Sequence, residues 1–154
     1  MKQRVEVYIR NGLVDAAGEG LKKDIEDLGI HGVEAVKTIQ VYELEGRAGQ
    51  GIVKRIGSEL LADGVTQGFR IGDAATGISP PGWVVDVRYH TGVTDAVGAS
   101  ALKGIHDMGI DGIDSVKTSM RYVVRGNISP SQMDAICRKL LANTVIQTYH
   151  IQKL

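Results

Sequence analysis

Apolar and polar residues alternate at the start of the chain. Val5, Val7 and Ile9 fall on one side of an extended backbone, and Glu6, Tyr8 and Arg10 on the other. The same period of two returns at Val85, Val87 and Tyr89 against Asp86, Arg88 and His90, so each stretch predicts a half-buried strand. A glycine-containing turn follows each, and Asp15 or Asp95 is placed to cap a helix N-terminus. Leu21, Ile25 and Leu28 form one helical stripe, matched by Ile105 and Met108, and Gly29 and Gly109 are the residues that stop the helix at C′. Two β-prone runs come next, Val33–Thr38 with Gln40–Gly46 and Ile113–Thr118 with Met120–Gly126, and they predict a hairpin in each case.

A second helix is best marked by Ser129-Pro130-Ser131-Gln132, a capping box with proline at the first helical position, leading into Met133, Ile136, Leu140 and Leu141. Its counterpart begins Ala48-Gly49-Gln50-Gly51, a poorer cap that is expected to fray. A last strand is predicted with Val65, Phe69 and Ile71, or Val145, Tyr149 and Ile151, on its apolar side, where Gln67 and Gln147 intrude.

These elements occur twice because the chain is duplicated. Shifted by eighty residues, Arg4–Gly72 lies on Val84–Gln152 without a gap, with 24 of 69 positions identical. The matches include Gly12/Gly92, Asp15/Asp95, Gly18/Gly98, Tyr42/Tyr122 and Leu60-Leu61/Leu140-Leu141. Two copies are too few for a stacked array, which needs about three or more units. The order β-α-β-β-α-β predicts an α+β fold of two ferredoxin-like repeats, each a four-stranded antiparallel sheet with two helices on one face, paired as a pseudo-dimer. The repeats occupy residues 1–72 and 83–154. Residues 73–82, DAATGISPPG, have linker composition, and Pro80-Pro81 is expected to stiffen them toward polyproline geometry.

Eighteen basic and eighteen acidic residues are interspersed, so no long-range positive field favours nucleic acid. No apolar run is long enough for a signal peptide or membrane span, and a soluble cytoplasmic protein is expected. Cys137 lies within an apolar helical pattern and reads as a core residue. The four histidines share neither aligned positions nor ligand spacing, and no phosphate-binding glycine loop is spelled, so neither metal nor cofactor is expected. Lys37-Thr38 and Lys117-Thr118 lack the loop that a phosphate site needs. Tyr42 and Tyr122 read as packing residues. No convergent catalytic set is visible, which points to a protein that works by binding others.

Copy two ends CRKLLANTVIQTYHI, and copy one opens RVEVYIRNGLVDAAGEGL. Both resemble PurS, the small subunit of phosphoribosylformylglycinamidine synthase, whose members show a cysteine-containing helix running into LLAN and then a valine-isoleucine strand. The chain departs from that family's D-P-Q-G turn, with Asp15-Ala16-Ala17-Gly18 and Asp95-Ala96-Val97-Gly98, and copy one has Leu60-Leu61-Ala62-Asp63 for LLAN. The chain is similar to two such subunits fused head to tail, the covalent pair standing in for the family's dimer.

The resemblance implies a non-catalytic assembly subunit of a glutamine-dependent ligase complex in purine biosynthesis. It would bridge the ATP-dependent synthetase PurL and the glutaminase PurQ and support ammonia transfer. Twelve residues are the candidate interface or structural motif: Gly12, Asp15, Gly18, Gly92, Asp95, Gly98, Leu140, Leu141, Ala142, Asn143, Val145 and Ile146, with a structural role the stronger reading. A homodimer of the tandem chain is expected, since short strands leave edges that need covering. A tandem amino-acid sensor of the ACT type has the same element order and is the alternative.

Overall fold

The computed structural model describes residues 1–73 and 80–154. The central residues of the expected linker therefore lie outside the described residues. The Pro80–Pro81 bond is cis, not the extended polyproline geometry expected.

The first copy contributes β1 (Lys2–Ile9), α1 (Ala16–Asp27), β2 (Val33–Gly46), α2 (Gln50–Ile56) and β3 (Gln67–Ile71). The second contributes β4 (Gly82–Tyr89), α3 (Ala96–Asp107), β5 (Ile113–Gly126), α4 (Pro130–Ile136) and β6 (Gln147–Lys153). The strands hydrogen-bond in the order β3-β1-β2-β5-β4-β6. Register is antiparallel in β1/β2, where Val5 faces Tyr42, in β1/β3, where Val7 faces Phe69, and in β4/β6, where Val87 faces Tyr149.

The expected hairpins are absent. β2 and β5 each run unbroken for fourteen residues through Thr38-Ile39-Gln40 and Thr118-Ser119-Met120. Neither triplet holds a glycine, proline, asparagine or aspartate to supply the positive φ that a two-residue turn requires, and the Thr38 and Thr118 hydroxyls, which could support a weaker turn, bond to Asp15 and Asp95 instead. The consequence is topological, because a strand that does not turn carries its helix away from the sheet edge it left.

Two compact units result, each drawn from both copies. The first unit contains β1, β2 from Ile39 onward, α2, β3, and from the second copy α3 with β5 as far as Ser119. Its core joins Val5, Val7, Leu44, Val53 and Ile56 to Ala101, Ile105, Ile113 and Val116. The second unit contains α1, β2 as far as Thr38, β4, β5 from Met120 onward, α4 and β6. Its core joins Ile25, Ile30, Val33 and Val36 to Trp83, Val85, Val124, Met133, Ile136 and Cys137. Each unit thus has the four strands and two helices of the ferredoxin-like plan, with one helix-strand arm coming from the opposite copy.

The caps follow the sequence reading. Asp15 and Asp95 accept from the backbone N–H of Gly18 and Gly98. Ser129 and Gln132 complete the capping box of α4, whereas Gly49 gives α2 no side-chain cap. Beyond α2 and α4 the backbone widens into a π-helical turn, Gly57–Leu61 and Cys137–Leu141, closed by Ala62 N–H on the Gly57 carbonyl at 3.0 Å and Ala142 N–H on the Cys137 carbonyl at 2.9 Å. Such turns recur at functional positions.

Candidate docking interface

Asp15 does more than cap α1. Its Oδ1 accepts from Gly18 N–H at 2.9 Å, while Oδ2 accepts from the N–H and hydroxyl of Thr38 at 2.7 and 2.9 Å. Residues 14 and 38 bound the arm that the first copy places in the second unit, so one carboxylate ties the arm's two ends together. Asp95 repeats this on Gly98 and Thr118 in the first unit. The Lys-Thr pairs thereby acquire a structural use for their threonines, which the sequence reading missed because the bond spans 23 residues.

Gly18 and Gly98 are buried at these caps, pressed on the carbonyls of Val36 and Val116. Gly12 and Gly92 hold turns at φ of +86° and +88°, which glycine adopts without strain. Six of the twelve candidate residues are thus accounted for by backbone geometry. The partition into units separates them further: Gly12 stays with the first unit and Asp15 and Gly18 go with the second, while Gly92 and Asp95 divide the other way.

The Leu140–Ile146 block divides by role. Leu141 and Ala142 are buried in the second unit's core, and Leu140 packs against it. Asn143 organises a turn: its side chain accepts from Val145 N–H at 3.1 Å, its backbone N–H donates to the Gln147 side chain at 2.9 Å, and its carbonyl accepts from Gln147 N–H at 2.7 Å. Asp63 and Gln67 build the same turn in the first unit. The two intrusive glutamines therefore bond locally. Val65 and Val145, expected on the apolar side of the last strand, instead precede it in this turn and are 81% and 83% exposed.

These turns lie beside the end of the first strand of their unit. Arg10 donates to the carbonyls of Gln67 and Gly64, and its backbone N–H to Thr66, bringing the half-exposed Leu13 to the end where Val65 sits. In the second unit His90 N–H donates to the Ile146 carbonyl at 2.9 Å, placing Gly92 with Val145 and Ile146. Each unit thus presents a hydrogen-bonded turn with an exposed valine at its tip. Among the described residues no group of three or more His, Cys, Asp or Glu could hold a metal ion, and no helix is long and apolar enough to cross a membrane.

Cys137, at the start of the second π turn, is fully buried, and burial pushes its thiol from about 9 up to about 12. The folded chain holds the neutral thiol, so the stabilisation is whole below pH 9 and is lost as pH rises toward 12. Two outcomes are expected. An aromatic disulfide reagent labels Cys137 at about pH 8 only as fast as the chain unfolds, and the urea midpoint of Cys137→Ala falls less steeply than that of the parent above pH 9.

The two units, each with four strands and two helices, define a tandem ferredoxin-like α+β protein. The family model of PurS, described as phosphoribosylformylglycinamidine (FGAM) synthase, matches residues 2–72 and again residues 83–154. The chain belongs to the PurS family, as a tandem duplication, and is a subunit of FGAM synthase in purine biosynthesis. Among solved structures it is similar to PurS of Methanocaldococcus jannaschii, described as one of the subunits of formylglycinamide ribonucleotide amidotransferase. Identity is 24% over 46% of this chain and 92% of that one, with a TM-score of 0.37. No curated protein matches the chain.

Proposed function

We propose that this chain is the assembly subunit that bridges the synthetase PurL and the glutaminase PurQ and supports passage of ammonia between them. One observation carries this reading: both halves match the family model over nearly their whole length. The hydrogen-bonded exposed turns agree with it, since pre-organised surfaces move little on docking. The repeats, 1–72 and 83–154 joined through 73–82, supply in one chain the pair of units that a family dimer would bring together. Two such chains associate as a homodimer.

Reconstitution tests the reading. With PurL, PurQ, glutamine and nucleotide, the chain is expected to co-elute with both proteins, and its omission to abolish glutamine-dependent amidine formation while ammonia-dependent synthesis by PurL persists. No complex under those conditions, with glutamine-dependent activity intact when the chain is left out, would overturn it. Light scattering reports the mass of the free chain, for which a dimer is expected.

A further inference from the structure

The two copies differ most where α2 and β3 meet. In the first unit an open groove of about 680 Å³ runs between them, lined by Lys54, Arg55, Ser58, Phe69 and Arg70, with no carboxylate among its lining residues. In the second copy the aligned positions are Asp134, Ala135, Arg138, Tyr149 and His150. There Tyr149 hydroxyl donates to Asp134 Oδ1 at 2.5 Å and Arg138 Nε to Oδ2 at 2.7 Å, joining β6 directly to α4. Phe69 cannot make that bond. Its ring lies instead against Gly57, where a Cβ would come within 2.5 Å, and the second copy has Cys137 at that position.

Among the described residues the backbone beside the groove is unpaired in a regular way. β3 is an edge strand. Gly72 N–H donates to the Arg4 carbonyl at 2.7 Å and Arg10 N–H to the Thr66 carbonyl at 2.9 Å, which fixes the alternation of the β1/β3 ladder. Positions 66, 68, 70 and 72 therefore bond toward β1, and Phe69 and Ile71 turn their N–H and C=O groups outward. β6 offers the same backbone edge in the second unit, so the ladder alone does not distinguish the copies. The charge does. Lys54 and Arg55 are exposed on α2, where Arg55 shares its charge with Glu59 at 2.8 Å, whereas Arg70 lines the groove but commits its Nε to the buried Glu6 at 2.6 Å.

We propose that this groove receives an extended acidic segment of a partner protein, which adds a strand to β3 through Phe69 and Ile71 and sets its carboxylates against Lys54 and Arg55. Main-chain bonds supply affinity in such strand addition, and flanking side chains choose the occupant. The closed, carboxylate-bearing counterpart in the second copy rejects the same segment, so one tandem chain engages one such segment where two identical copies would engage two. The inference deepens the assembly reading and rests on it only for which subunit carries the segment.

The test uses the full chain and a peptide of alternating glutamate and valine. Binding is expected to shift and protect the backbone amides of Phe69 and Ile71, not those of Tyr149 and Ile151. Affinity is expected to fall about tenfold or more in Lys54→Glu/Arg55→Glu, both exposed positions, and to be unchanged by Arg138→Glu. Four results would overturn the proposal: no binding at millimolar peptide, equal binding by the doubly reversed variant, shifts centred on β6, or equally tight and equally charge-sensitive binding of a single-stranded oligonucleotide. Failure here remains distinct from failure of the assembly reading. A doubly reversed chain that neither binds peptide differently nor weakens a reconstituted synthase removes the groove and leaves the subunit role untouched.

Discussion

Gly18→Ala is expected to lower stability by about 3 kcal/mol, although alanine is the better helix former. A Cβ built on Gly18 lies 2.0 Å from the Val36 carbonyl oxygen and 3.2 Å from the Asp15 carboxyl carbon. Neither neighbour is the free end of a flexible side chain. The carbonyl belongs to β2, and the carboxylate is held by Gly18 N–H and Thr38. The helix must therefore lift from the strand and strain the clasp that joins the two ends of its arm. Gly98→Ala meets the Val116 carbonyl at 2.4 Å and is expected to behave alike. Gly20 is the control, exposed two residues along the same helix with nothing within 4 Å, where alanine is expected to raise stability by about 0.5–1 kcal/mol. Urea unfolding with fluorescence of Trp83 measures all three, and calorimetry should show Gly18→Ala melting about 6–12 °C below the parent. Equal stability of Gly18→Ala and Gly20→Ala would mean that the close approach of helix and strand does not constrain the fold.

Those glycines show what the sequence could and could not reveal. Their coincidence at an offset of eighty marks them as geometric, and the alternation, caps and C′ glycines located the first strand and the first helix of each copy because those signals are local. The exchange of arms is not local. Ile25 has the same stripe whether it packs on its own β1 or, as it does, among Trp83, Val85 and Met133. The deciding clue was negative, the lack of any glycine, proline, asparagine or aspartate at 38–40. The π turns leave no mark in the sequence, since the fit of Gly57 to the Phe69 ring is tertiary. Of the twelve candidate site residues, Asp15 and Asp95 were legible as caps but not as clasps. The groove beside β3 was missed because it appears only when one copy is compared with the other across a folded edge.

Glu6→Gln is expected to cost about 3–5 kcal/mol. Glu6 is fully buried between Val5 and Val7, on the face opposite the helices, where Arg4 Nε reaches one carboxylate oxygen at 2.9 Å and Arg70 Nε the other at 2.6 Å. Gln keeps the shape and removes the charge that both guanidinium groups face. Arg4 can least tolerate that, because its Nη2 is buried without a hydrogen-bond partner among the described residues. Arg70 is partly compensated by the Tyr8 ring, 5.0 Å away. The network as a whole need not stabilise the fold, since desolvation offsets most of the attraction between buried charges. Replacing Arg4, Glu6 and Arg70 together by methionine is therefore expected to recover most of what Glu6→Gln loses. The second copy shows that the arrangement can be rewired. It keeps a carboxylate at the aligned position, Asp86, has Val84 and His150 where Arg4 and Arg70 stand, and takes its cation from Arg121 on β5 at 2.8 Å. Chemical denaturation of the single and triple variants decides the matter. A Glu6→Gln chain within about 1 kcal/mol of the parent would show that solvent reaches these guanidinium groups well enough to replace the carboxylate.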